Sequence, residues 1–145
     1  MKVYDAKNIR NIALMGHAGS GKTTLAEAIL YQAGAINRRG TIEDNNTASD
    51  FHVAEQERQN SIFSTPLVAE WNKIKLNLID TPGFDDYAGE VAASIHVADA
   101  GIVVINAQNG IEVGTEIGCK YAENNNKPLV YFINKMDVEN ADFDS

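Results

Sequence analysis

Cysteine is nearly absent. Cys119 is the one cysteine in 145 residues, so no disulfide can close within the chain, and a reducing intracellular setting is expected. Long apolar runs are missing too: nothing approaches the roughly 20 residues that cross a bilayer, so no membrane association is expected. The apolar stretch at 12–15 is too short for a signal peptide and runs straight into Gly16. Basic residues are scarce, with 12 Lys plus Arg against 20 Asp plus Glu, a formal net charge of −8 and a pI of about 4.7. That balance argues against a free-standing nucleic-acid binder, which needs a surplus of cations to neutralise phosphates. Internal repeats and low-complexity tracts are absent as well. What remains is a chain with 44% hydrophobic residues, ordinary for a globular domain and long enough to bury a core without staples.

Apolar runs alternate with helical patterns, which predicts an α/β fold with a mostly parallel sheet between two helical layers. Strands are expected at 9–15, 63–70, 74–80, 101–106 and 129–134. Helices are expected at 22–33, stopped by Gly34, and at 90–98 and 111–124. The short link Trp71-Asn72-Lys73 predicts an antiparallel edge hairpin. The continuous apolar runs at 101–106 and 129–134 predict strands covered on both faces. Residues 37–61 are polar and lack a clean period, and a connection of that length suggests a functional loop.

Three motifs follow predicted strands, in order. Gly16-His17-Ala18-Gly19-Ser20-Gly21-Lys22-Thr23 fits the phosphate-loop spacing. Glycines let backbone N–H groups turn inward onto phosphate oxygens, and the next helix offers its positive end to the same anion. Lys22 would place a charge on the β/γ-phosphates, and the Thr23 hydroxyl would ligate Mg²⁺. Asp80-Thr81-Pro82-Gly83 puts a carboxylate for Mg²⁺ at a strand end and a glycine whose N–H can approach a γ-phosphate. Asn134-Lys135-Met136-Asp137 offers a carboxylate that accepts from guanine N1–H and N2–H₂, a donor pair adenine lacks. Asn134 and the Lys135 stem would fix the base and the neighbouring loops. Together the motifs predict a three-layer P-loop nucleotide-binding fold selective for guanine over adenine. Lys22 and Gly83 are the candidate catalytic groups, and GTP or GDP with Mg²⁺ the cofactors.

With these residues the chain resembles the N-terminal part of the GTP-binding domain of translational GTPases of the elongation factor G kind. His17 and Lys22-Thr23-Thr24-Leu25 are similar to that family's phosphate loop. Residues 37–64, with Asp50 and Glu55-Gln56-Glu57-Arg58, resemble its first switch, and residues 80–89 its second. The resemblance implies nucleotide contacts from His17, Ala18 and Thr24, a Mg²⁺ contact from Ser61, a ribosomal partner and a cytoplasmic setting. It also implies a parent longer than this sequence, because the family's later guanine-closing loop is not within it. An isolated monomeric fragment with weakened nucleotide affinity is the expectation.

Three departures stand out. Phe84 replaces the His that the family uses to position the attacking water, and a phenyl ring can neither donate nor accept. Gly19 replaces a phosphate-loop Asp associated with a monovalent cation. Gln59-Asn60-Ser61 replaces Gly-Ile-Thr, which keeps a hydroxyl and loses the hinge glycine. Phe84 leaves two readings open: hydrolysis is slow because water positioning is lost, or the ring packs the second switch on the core and another group serves. The competing functions are therefore a GTPase driving a step such as translocation and a GTP-dependent ribosome-binding module with weak hydrolysis. Release-type and ribosome-protection relatives are further alternatives, and Asp137 disfavours an ATP-using protein. Among other residues, His52 is expected as a solvated loop histidine, His96 as structural and Arg38 and Arg39 as a solvated turn. Trp71 is expected as a packing anchor and Cys119 as a buried thiol.

Overall fold

Strand β1 (Ile9–Met15) carries Ala13, Leu14 and Met15, each wholly shielded from solvent, and side chains alternate along a strand, so both of its faces must be covered. A computed structural model, which describes residues 2–141 and 143, shows how this is met. The remaining elements are α1 (Lys22–Gln32), α2 (Val53–Arg58), β2 (Thr65–Trp71), β3 (Ile74–Asp80), α3 (Ala88–Val97), β4 (Ala100–Asn106), α4 (Val113–Asn124) and β5 (Leu129–Asn134). Single 3-10 turns lie at Ala6–Asn8 and Asp85–Tyr87. The strands form one sheet in the order β2-β3-β1-β4-β5, and only the β2–β3 pair is antiparallel.

Leu14, Leu67, Ala69 and Leu78 face Ala26 and Leu30 of α1 on one side of the sheet. Ala13, Met15 and Val103 face Val91 and Ile95 of α3 and Ala122 of α4 on the other. This is the expected three-layer arrangement. Because β1, β3, β4 and β5 run parallel, the loops that follow them all open at one edge of the sheet, which is where ligands bind in such folds.

Several local expectations are corrected. The hairpin link is two residues, Asn72 and Lys73, with φ of 48° and 67°, as a type I′ turn requires, and Trp71 belongs to β2. Trp71 stays half exposed beside Ile29 and Leu76 rather than anchoring the core. The 37–61 stretch contains α2, and α3 starts at Ala88 rather than Glu90. β5 is not covered on both faces: it lies at the sheet edge, with Val130 61% and Tyr131 56% exposed. Its apolar run reads like a central strand, but among the described residues it has a neighbour on one side only. Cys119 is half buried, its Sγ 3.9 Å from the Tyr131 hydroxyl, because that edge is open. His96 is exposed and meets Asn125 at 3.1 Å, and Arg38 and Arg39 are exposed as expected. His52 caps α2, with its ring against Phe51 and Phe63 at centroid distances of 4.4 and 4.9 Å.

Ile95→Ala is expected to cost about 2–5 kcal/mol of unfolding free energy in urea titrations, because a fully buried side chain leaves a cavity. Val130→Ala, on the open edge, should stay within about 0.5 kcal/mol. Equal costs at the two positions would contradict this packing.

Candidate functional site

The turn from β1 into α1 is built from positions that only glycine suits. Gly16 has φ +136°, and a Cβ there would run into the Val104 carbonyl. Gly21 has φ +99°, and a Cβ there would meet the Asn134 carboxamide. The loop therefore stays close to the ends of β4 and β5. Lys22, the first residue of α1, folds back so that its ammonium donates to the carbonyls of Gly16 (3.0 Å) and His17 (2.9 Å). Burial pushes that ammonium down to about 8, against the pull of Asp80 and Asp50. The first N–H groups of α1 have no partner within the helix and open on the same space. A buried cation over free N–H groups can hold a polyphosphate.

Beside it lies a chain of four side-chain oxygens. The Thr23 hydroxyl donates to Asp80 at 2.7 Å and lies 3.3 Å from the Ser61 hydroxyl, which donates to Asp50 at 2.7 Å. Asp80 Oδ1 and Asp50 Oδ2 are buried without a partner. Burial pushes the Asp80 carboxyl up to about 6, and it raises Asp50 as well. Two orphaned carboxylate oxygens with two hydroxyls form a hard oxygen set that fits Mg²⁺. No group of three or more His, Cys, Asp or Glu gathers as a metal cage among the described residues, so a cation here would draw its other ligands from phosphate and water. Asp50 is not among the Mg²⁺ ligands that the sequence predicts. A lone Asp in a polar loop carries no signal until Ser61 is folded against it.

Gly83 closes this side. A Cβ on it would collide with the Ala18 amide and the Lys22 ammonium, and its carbonyl accepts the Ala18 N–H at 3.1 Å. Phe84 is 43% exposed and borders the same cavity of about 360 Å³, so it does not pack into the core. Gln59, Asn60 and Ser61 line that cavity as well. Two buried carboxylates hold the 37–64 segment in place. Glu27 accepts the N–H groups of Gly40 (2.7 Å) and Ala48 (2.5 Å). Glu55 accepts those of Ile62 (3.0 Å), Phe63 (3.1 Å) and His52 (3.3 Å). Arg58 reaches across to the Tyr87 hydroxyl at 3.0 Å.

Of the residues singled out in the sequence, Ala18, Gly19, Gly21 and Lys22 line the cavity with Thr23, Thr24, Ser61, Gly83 and Lys135. Asp80 sits behind Thr23. Ser20 is buried, and its carbonyl accepts from Asn134 at 2.8 Å, so Asn134 braces the glycine loop. The His17 ring turns away from the cavity, where Nδ1 accepts the Gly114 N–H at 3.2 Å and Nε2 lies 3.7 Å from Glu112. Asp137 is exposed in the turn after β5, at the same sheet edge but outside the cavity wall.

Replacing Glu55 with Ala leaves partly buried N–H groups unpaired. Amide exchange at Ile62 and Phe63 should accelerate by about ten- to hundredfold, with β1 and β3 unchanged, in hydrogen-exchange mass spectrometry. Uniform acceleration across the sheet would contradict a local clasp.

Comparison with known proteins places this geometry. A profile of the family described as Elongation factor Tu GTP binding domain matches residues 7–145. Elongation factor G 2 of Borreliella burgdorferi is 41% identical over 136 residues, covering 94% of this chain and 20% of that protein. Elongation factor G 2 of Streptomyces coelicolor is 37% identical over 145 residues, covering 100% and 21%. Elongation factor G of Mycoplasma genitalium is 40% identical over 143 residues, covering 99% and 21%. A crystal structure of a Thermus thermophilus protein superposes with a TM-score of 0.87 at 37% identity, covering 89% of this chain and 20% of that one. The chain thus spans about a fifth of the length of the curated relatives it matches. With the match running over nearly all of its length, the chain belongs to the elongation factor Tu GTP-binding domain family and is similar to about a fifth of the length of elongation factor G proteins.

Proposed function

We propose that this chain binds GTP and GDP for a full-length cytoplasmic GTPase that couples hydrolysis to a ribosomal step such as translocation. The observation that carries the reading is the meeting of three loops, after β1, β3 and β5, at one edge of the sheet around the Lys22 cavity. In this reading Lys22 and the N–H groups of Gly19 and of Gly21 to Thr24 grip the phosphates, while those of Ala18 and Ser20 are spent on the carbonyls of Gly83 and His17. Thr23 and Ser61, with the carboxylates of Asp80 and Asp50, would hold Mg²⁺. When bound, the ion neutralises charge on the β- and γ-phosphate oxygens. Gly83 presents its N–H to the γ-phosphate, and Asp137 selects guanine by accepting from N1–H and N2–H₂. Asn134 supports base and phosphate together, because its carboxamide is bonded to the glycine loop. Residues 37–64 and 80–89 act as the two switches, with Arg58 and Tyr87 as a bridge that either can break.

One observation favours a second reading, a GTP-dependent ribosome-binding module with weak hydrolysis. Phe84 puts an exposed apolar ring on the cavity wall, where water must be ordered for attack. Nucleotide binding and single-turnover hydrolysis by the full-length protein, with and without ribosomes, separate the two. Saturable GTP binding with turnover stimulated by ribosomes supports the GTPase. Binding without turnover supports the module, and competition by ATP would overturn both.

Lys22→Ala should weaken GTP binding by about a hundredfold or more in a fluorescent-nucleotide titration, because a buried charge-assisted contact is lost. Asp137→Asn should move preference from GTP towards XTP, since a carboxamide donates to the 2-oxo group where a carboxylate repels it. Phe84→His should raise single-turnover hydrolysis by about tenfold or more without changing GTP affinity. An unchanged rate would show that water positioning is supplied elsewhere.

A further inference from the structure

We propose that the Gln59 carboxamide, on the wall of the cavity that Phe84 also borders, positions the water that attacks the γ-phosphate. This rests on the GTPase reading above. The step is hydrolysis of the terminal anhydride. The water oxygen bonds to the γ-phosphorus, and the bond to the β–γ bridging oxygen breaks with its electron pair staying on GDP. The water's proton leaves with the phosphate. A group that helps must accept a hydrogen bond from the water, and a carboxamide can do this while donating to a phosphate oxygen.

Elimination along the cavity wall leads to Gln59. Near Gly83, Lys22 can only donate and is committed to two carbonyls, while Phe84 has no polar atom. Asn60 is turned to the Arg58 carbonyl by its Nδ2 at 2.8 Å, the Ser61 hydroxyl goes to Asp50 at 2.7 Å, and Asp50 itself, a carboxylate with one free oxygen, can accept from water but cannot donate to a phosphate oxygen and would set its charge against it. Thr24 and Glu43 border the far end, where they also line a second depression with Arg39 and Thr47. The Gln59 carboxamide has no hydrogen-bond partner among the described residues and lines the cavity.

The backbone supplies an independent observation. Gln59 ends α2 with φ 53° and ψ 37°, in the left-handed region. Four of the seven non-glycine residues with positive φ are Asn, which tolerates it, and of the others only Gln59 and Lys135 border the cavity. A bulkier residue persists in that region only where its surroundings hold it. Here they do: Asn60 N–H bonds to the Glu55 carbonyl at 3.2 Å, the Glu55 carboxylate holds Ile62, and Arg58 is tied to Tyr87. Glycine would remove the strain, yet the chain carries a long carboxamide at a position that borders the same cavity as Gly83.

The test uses the full-length protein, with fluorescent GTP for affinity and single-turnover hydrolysis for chemistry. Gln59→Ala should lower kcat by about tenfold or more and leave GTP affinity and KM within about threefold. Gln59→Gly, which suits the left-handed backbone and so cannot fail through strain, should show the same loss. Phe84→His added to Gln59→Ala should restore the rate from a second position on the cavity wall. A parental rate in either Gln59 variant, or a loss carried entirely by KM, overturns the proposal. Failure of the unmutated protein to bind GTP overturns instead the reading on which it rests.

Discussion

The organising constraint is charge removed from water at the ends of parallel strands. Lys22 lies under the glycine loop, and Asp80 lies at the end of β3 behind Thr23. Burial drives the two in opposite directions, the ammonium down to about 8 and the carboxyl up to about 6. Neither cost is met inside the protein. Asp80 keeps an orphaned oxygen, and Lys22 has only backbone carbonyls. Such groups are kept where a ligand of the complementary charge completes them, and in the function proposed for this chain a polyphosphate with a divalent cation would do so for both at once.

The surrounding structure serves to keep that arrangement closed. Gly83 and the glycine loop touch through the Ala18 N–H, at a distance that any side chain on Gly83 would forbid. Asn134 ties the end of β5 to Ser20, so the loop expected to read the base also braces the loop expected to hold the phosphates. The long 37–64 segment has little apolar material with which to fold. It is held by Glu27 and Glu55, whose carboxylates gather five backbone N–H groups among the described residues. Hydrogen bonds of this kind hold a loop in place yet can be exchanged when the loop moves, which suits a segment read as a switch.

Much of this was legible in the chain itself. The bounds of β1, β3 and β5 agree with their apolar runs, and helix α1 stops before Gly34 as its sequence signals. The three motifs emerged because each is local: a glycine spacing, a carboxylate at a strand end, a tetrapeptide after a strand. Other features were not legible, for definite reasons. The open face of β5 was missed because an apolar run records what a strand can bury, whereas burial depends on its neighbours. Helix α2 was missed because its polar surface has no apolar stripe, and Glu55 is buried through hydrogen bonds instead. His17 read as a phosphate-loop residue, yet its ring turns to Gly114 and Glu112, about a hundred positions away in sequence.

By itself, then, the sequence determined the alternation of strand and helix and the phosphate-loop spacing, and it carries the expectation of guanine selectivity at Asp137, since each rests on residue type and spacing over a few positions. Only the tertiary structure decided that Asp50 joins Thr23, Ser61 and Asp80, that Phe84 borders the cavity rather than packing into the core, and that Gln59 borders the same cavity. These facts join segments far apart in the chain. Which side chain faces which cavity is set by the packing of the sheet and the buried carboxylates, and no local pattern encodes it.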